Sequence, residues 1–221
     1  GDTNPYMLYA DGNKDAFGPD AQAVDLEIFR RGMRLSRERG LEQPWGRMVR
    51  SLATFLWART GTPLREEALA ELRALCAEVE ASGWCDSNAL HAFGMLQDAT
   101  LPFAPESWAH IPPPSREETL AIARRAVALG PDEAGPAGRL AIALAASGAE
   151  DVRAPAFAEA RAEAARFFTA NGRSTDPDET LAIRVAVALC MALERAGDDA
   201  AAAEVCGQAL DGAAEHHAML P

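Results

Sequence analysis

Side chains able to do chemistry are thinly scattered along this chain. Asp11-Gly12-Asn13-Lys14-Asp15 sets side-chain oxygens at alternate positions, the way an EF-hand calcium loop begins. Such a loop needs a glycine for its sharp turn and a bidentate glutamate at its end, but Ala16 and Gln22 occupy those places and Pro19 falls between them. The segment reads as an ordinary acidic turn. Cys76, Cys85 and His91 are metal ligands by type, yet their spacing is irregular and no fourth ligand is evident, so they read as core and loop residues. Cys190 and Cys206 lie symmetrically about Gly197, so antiparallel helices would set them opposite one another. A disulfide and two buried free thiols both fit that placement, and the free thiols are preferred.

His216 and His217 point in different directions on any helix and read as a solvated end. Glu66-Glu67 and Glu117-Glu118 suit first helical turns, where the macrodipole favours carboxylates, better than an acid and base pair. No glycine-rich phosphate loop, GxSxG elbow or HExxH pair occurs. The expectation is therefore no catalytic residue, no metal and no cofactor. The segment 100–114 is the exception to consider, because loops on rigid scaffolds often carry function. There Phe103, Glu106, Trp108 and His110 would be the site residues of a helical enzyme or of an enzyme's accessory domain.

The elements that must position these groups are helical. Of 221 residues 48% are hydrophobic but only 6% aromatic, and much of the remainder is alanine, which favours helix and close helix approach. The net charge of -12 repels a phosphate backbone, and the basic residues form nothing longer than Arg30-Arg31 and Arg124-Arg125, so nucleic acid is not an expected partner. Arg, Glu and Asp interrupt every alanine-rich stretch, so no membrane span is expected either. The chain opens on Gly1-Asp2-Thr3 with no basic stretch followed by an apolar one, which leaves localisation open.

Residues 1–19, rich in Asp, Asn, Gly and Pro, read as an irregular leader, and 20–221 as a single helical array broken at 100–114 by prolines. The first helix carries Val24, Ile28 and Leu35 as its apolar stripe, widened by Leu26, Phe29 and Met33, and ends at Gly40. Gln43-Pro44 opens a second, with Trp45, Met48, Leu52, Phe55 and Leu56, and Thr62-Pro63 opens a third that stops at Gly83. A shorter helix covers 87–98. Ser115-Arg116-Glu117-Glu118 has the form of a capping box before the next helix. Further helices are expected at 133–147, 155–170, 178–196 and from 198 to about 213, the one at 178 started by Asp176-Pro177-Asp178-Glu179.

In the C-terminal half small residues and turn glycines recur together. Ala126-Val127-Ala128-Leu129-Gly130-Pro131-Asp132 is followed by Leu140, Ala141, Leu144 and Gly148, and Leu189, Cys190 and Leu193 lead through Gly197 to Ala202, Cys206, Ala209 and Leu210. Over Ser115 to Ala213 this resembles the tetratricopeptide repeat family. The resemblance implies an all-α fold, a right-handed superhelix of about four antiparallel helical hairpins, with small residues letting paired helices approach. It also implies an interaction scaffold instead of an enzyme.

The family's carboxylate clamp needs Lys, Arg and Asn on first helices, where this chain has Gly138, Ile142, Val187 and Met191. The expected partner-binding surface is thus an apolar concave groove taking a protein or peptide, a second copy of the chain included, or covered by the chain's own Leu101–Ile111 or leader segment. A solute-binding helical protein of the cell envelope is a third reading.

Overall fold

In a computed structural model, residues 19–60, 63–100, 116–147, 155–172, 178–205 and 207 are described. All regular structure among them is α-helical: α1 Pro19–Glu38, α2 Glu42–Arg59, α3 Arg65–Ser82, α4 Ser87–Thr100, α5 Arg116–Leu129, α6 Ala134–Ser147, α7 Pro155–Asn171 and α8 Glu179–Arg195. A further helical stretch covers 199–205. The ends at Gly40, Gly83 and Gly197 and the start after Asp178 fall where the sequence sets them, whereas α2 and α3 begin after Leu41 and Leu64 with no side-chain cap, and Thr62 and Ser115 lie outside the described residues. The calcium-like segment, the loop residues Phe103, Glu106, Trp108 and His110, Cys206 and the histidine pair all lie outside the described residues.

The ends of the helices have local causes. After α1 Gly40 takes φ 65°, which lets Gly40 N donate to Arg37 O at 3.1 Å and Leu41 N to Ser36 O at 2.8 Å. After α8 Gly197 repeats the arrangement at φ 75°, with Asp198 N donating to Leu193 O at 3.0 Å. These bonds consume carbonyls that a helix end leaves unsatisfied. Asp86 and Asp178 cap the starts of α4 and α8, their Oδ1 atoms accepting from Ala89 N and Leu181 N, each at 2.8 Å.

Each helix packs on the next in sequence, and the even-numbered helices also pack in succession, α2 on α4, α4 on α6 and α6 on α8. The odd-numbered helices are instead linked by ion pairs: Arg30–Glu71 at 2.8 Å between α1 and α3, Arg73–Glu118 at 2.8 Å between α3 and α5, and Arg124–Glu159 at 3.1 Å between α5 and α7. Arg125 and Glu80 add a second pair between α3 and α5. Each such exposed pair contributes about 0–1 kcal/mol, so apolar packing carries more of the stability than these links do. Its alanines, among them Ala137, Ala141, Ala160 and Ala164, let α6 and α7 lie close together.

The apolar interior has two parts. One is formed by α1 to α4, with Ala126 of α5, around Trp45, Val49, Leu56 and Leu72, the other by α5 to α8 and the 199–205 stretch around Leu144, Phe167, Val185 and Leu193. Two expectations need correcting here. In α1 the buried seam is Phe29 and Met33, with Leu26 partly buried, while Ile28 and Leu35 face water. Gly138 and Ile142 belong to the second interior and line no water-facing groove. Ile142 is 5% exposed, and a Cβ on Gly138 would come within 2.9 Å of the Phe167 ring.

Arg65, buried at the start of α3, fastens two helix ends. Its Nη1 donates to Thr60 O at 3.3 Å beyond α2, and its Nη2 to Ala99 O at 3.2 Å in the last turn of α4. A guanidinium there meets the negative ends of two helix dipoles and orphan carbonyls together.

Candidate functional site

Helix α4 is apolar for most of its length, so its polar residues require partners. Asp98 finds two. Arg184 of α8 grips it in bidentate fashion, Nη2 to Oδ1 at 2.5 Å and Nη1 to Oδ2 at 3.1 Å, while Nη1 of Arg139 on α6 lies 3.0 Å from the same Oδ1. Burial by itself raises the carboxyl's pKa, but the Arg139 charge and the Arg184 hydrogen bond outweigh it and hold Asp98 below the ordinary carboxylate range. Arg139 also donates to Gly94 O at 2.9 Å, and Gln97 Nε2 donates back to Arg139 O at 2.9 Å. Gly94 permits this, since a Cβ there would sit 2.4 Å from Arg139 Nε. The contact between α4 and α6 is therefore polar, and it lies where the two apolar interiors divide.

Beside this junction opens a cleft of about 820 Å³. Its walls come from α2 (Arg50), α4 (Asn88, His91, Gly94), α5 (Ala126), the start of α6 (Glu133, Pro136, Arg139), the end of α7 (Phe167, Asn171) and the start of α8 (Asp178, Thr180, Leu181). Leu90, Phe93, Phe167 and Leu181 supply apolar surface, while the polar groups include amides, hydroxyls and both signs of charge. The volume falls in the usual range for ligand-binding clefts.

His91 is set between α2 and α4. Its Nε2 lies 3.3 Å from Thr54 Oγ1, and that hydroxyl lies 3.0 Å from Arg50 O. The hydroxyl can donate to either the carbonyl or the ring, so it ties the imidazole to α2 in either tautomer. Burial first, then the charges of Arg139 and Arg50, bring the His91 pKa down to about 4 against partial opposition from Asp98 and Asp178. The ring is a neutral hydrogen-bonding group at neutral pH and a weak base.

Asn171 and Asp178 close one end of the cleft, Asp178 N donating to Asn171 Oδ1 at 2.8 Å. At the start of α6, burial and then the neighbouring Asp86 and Asp132 charges raise the Glu133 pKa. Among the described residues Arg50 Nη1 reaches Asn88 Oδ1, at 3.4 Å.

None of the sequence-predicted partner residues borders this cleft. Val187 and Met191 are exposed on α8 at 50% and 40%, in line with Ile183 at 60%, but they are not joined by Gly138 and Ile142, which are interior. The sequence signal for the cleft was α4 itself, where His91, Gln97 and Asp98 interrupt an apolar helix. No group of three or more potential metal ligands is present among the described residues. Cys76 is buried and its thiol pushed up to about 12 by burial, slightly offset by Arg125, and Cys190 donates to Ala202 O at 3.4 Å. No described helix is long and apolar enough to cross a membrane. Comparison with protein-family models, with curated proteins and with solved structures finds no match to this chain.

Proposed function

We propose that this protein is a non-catalytic interaction scaffold of the tetratricopeptide repeat kind, a right-handed superhelix of about four hairpins that holds a partner's polypeptide segment in the cleft of its even-numbered helices. The order of packing supports the architecture, with α2, α4, α6 and α8 as successive first helices. Equivalent cross-hairpin contacts also recur at similar sequence separations: 38 residues for Arg50–Asn88, 42 for Gln97–Arg139 and 45 for Arg73–Glu118. Periods of this size belong to stacked helix pairs.

The observation that carries the binding reading is the cleft itself. It draws on all four even helices and pairs apolar floor with bifunctional amides and hydroxyls, Asn88, Asn171 and Thr180 among them. An extended peptide presents the same alternation of carbonyl, amide and side chain. The apolar groove expected from Gly138, Ile142, Val187 and Met191 is replaced by this polar one. The weak basicity of His91 argues against a general-base role at neutral pH.

Selection of random nonapeptides on the immobilised full chain, followed by amide NMR of the chain with a selected peptide, tests this. Shifts concentrated at Asn88, His91 and Thr180 are expected. Failure to select any peptide, or shifts confined to α1 and α3, would overturn the reading.

A further inference from the structure

We infer that the segment received by this cleft carries both an acidic and a basic side chain, the acid placed on Arg50 and the base on Glu133. The inference rests on reading the cleft as a peptide groove. Four side chains of full formal charge line it: Arg50, Glu133, Arg139 and Asp178. Two are already answered within the fold. Arg139 shares Asp98 with Arg184, and Asp178 Oδ1 accepts from Leu181 N as the cap of α8.

The other two are not. Arg50 meets no carboxylate among the described residues, only the Asn88 amide at 3.4 Å, and Glu133 meets no cation among them. Glu133 is partly buried and lies near Asp86 and Asp132, so its environment favours the arrival of positive charge. Among the described residues the cleft thus presents one charge of each sign without a counter-charge, Arg50 from α2 and Glu133 from the turn before α6. A guanidinium matches a carboxylate through paired N–H groups, and a carboxylate matches an ammonium or guanidinium in turn.

The distance between them sets a spacing. Two helix-packing steps of ~8–10 Å place the axes of α2 and α6 roughly 16–20 Å apart. An extended chain rising ~3.3 Å per residue covers that in about five or six residues, and side chains reaching inward shorten it to about four.

The probe is a nonapeptide library carrying one Glu and one Lys at every spacing and in both orders on a random background, with Glu-only, Lys-only and uncharged sets, titrated against the full chain by fluorescence polarisation. Peptides with both charges about four residues apart are expected to bind at least about tenfold tighter than uncharged ones, a difference of about 1.4 kcal/mol. Arg50→Ala should remove the advantage of Glu and keep that of Lys, and Glu133→Gln the reverse. Equal binding of charged and uncharged peptides, or an advantage that survives both substitutions, overturns the charge pairing and leaves the peptide groove standing. Absence of binding by every set overturns the groove reading and the pairing with it.

Discussion

Asp98 and Arg184 are 86 residues apart in sequence and meet through two hydrogen bonds at 2.5 and 3.1 Å. The pair ties α4 to α8 across α6, and Arg139 of α6 joins it at the same carboxylate oxygen. The Asp98 carboxylate is thus the common partner of three helices that otherwise meet only pairwise.

Replacing this carboxylate by an amide leaves the Arg139 and Arg184 guanidinium groups without the negative charge they share. Asp98→Asn is expected to cost about 3 kcal/mol, the low end for breaking a buried ion pair because Arg184 retains 37% of its side-chain exposure. Urea denaturation measures it, and Arg184→Met should cost less than Asp98→Asn. The Asp98 pKa is depressed in the folded state, so its contribution is complete above the unfolded value and is lost as pH falls through the folded one. In Asp98→Asn that part of the acid dependence should vanish. Equal stability of variant and parent at pH 7 would show that the cluster contributes nothing.

His91 governs a different pH window. Above its ordinary value of 6.5 the ring is neutral whether the chain is folded or not, and it contributes no pH dependence. Between 6.5 and about 4 the unfolded chain binds a proton that the folded one refuses, so stability falls as pH falls. The full effect is about 3 kcal/mol. Unfolding midpoints at pH 7 and pH 5, compared between parent and His91→Gln, should show a steeper acid loss in the parent, and parallel profiles would contradict it.

Two glycines of α6 should respond oppositely to one substitution. A methyl on Gly138 would press on Phe167 and Leu181, at 2.9 and 3.3 Å, so Gly138→Ala should destabilise by about 1–3 kcal/mol. Gly135 has nothing within 4 Å of its would-be Cβ, so Gly135→Ala should stabilise by about 0.5–1 kcal/mol through helix propensity. Thermal midpoints decide both, and a shift of the same sign in the two variants would refute the packing described here.

Aspartate at two apolar positions separates interior from surface. Ile142→Asp places a charge in the second interior and should unfold the chain, whereas Met191→Asp, at a position 40% exposed, should change stability by less than about 0.5 kcal/mol. Circular dichroism with urea titration distinguishes them.

The helices were legible because their punctuation is chemical. Gly40, Gly83 and Gly197 close helices in the left-handed conformation and Asp178 opens one, all readable residue by residue. Rotation about a helix axis was harder to read. In α1 two apolar stripes compete, and tertiary packing selects Phe29 and Met33 over Ile28 and Leu35. The fate of Gly138 was hidden because the ring that fills its space comes from α7. The cleft was least legible: Arg50, Asn88, His91 and Asn171 belong to three different helices, and no local spacing links them. Its trace in the sequence was the polar interruption of α4, which identifies residues in need of partners without naming the partners.

The alternation of linkages between helices gives the molecule two sides that answer to different variables. Ion pairs such as Arg30–Glu71 and Arg124–Glu159 weaken as dissolved ions shorten the reach of charge, while contacts such as α2 on α4 do not. Raising ionic strength therefore weakens the links among α1, α3, α5 and α7 without weakening the apolar packing of α2 on α4.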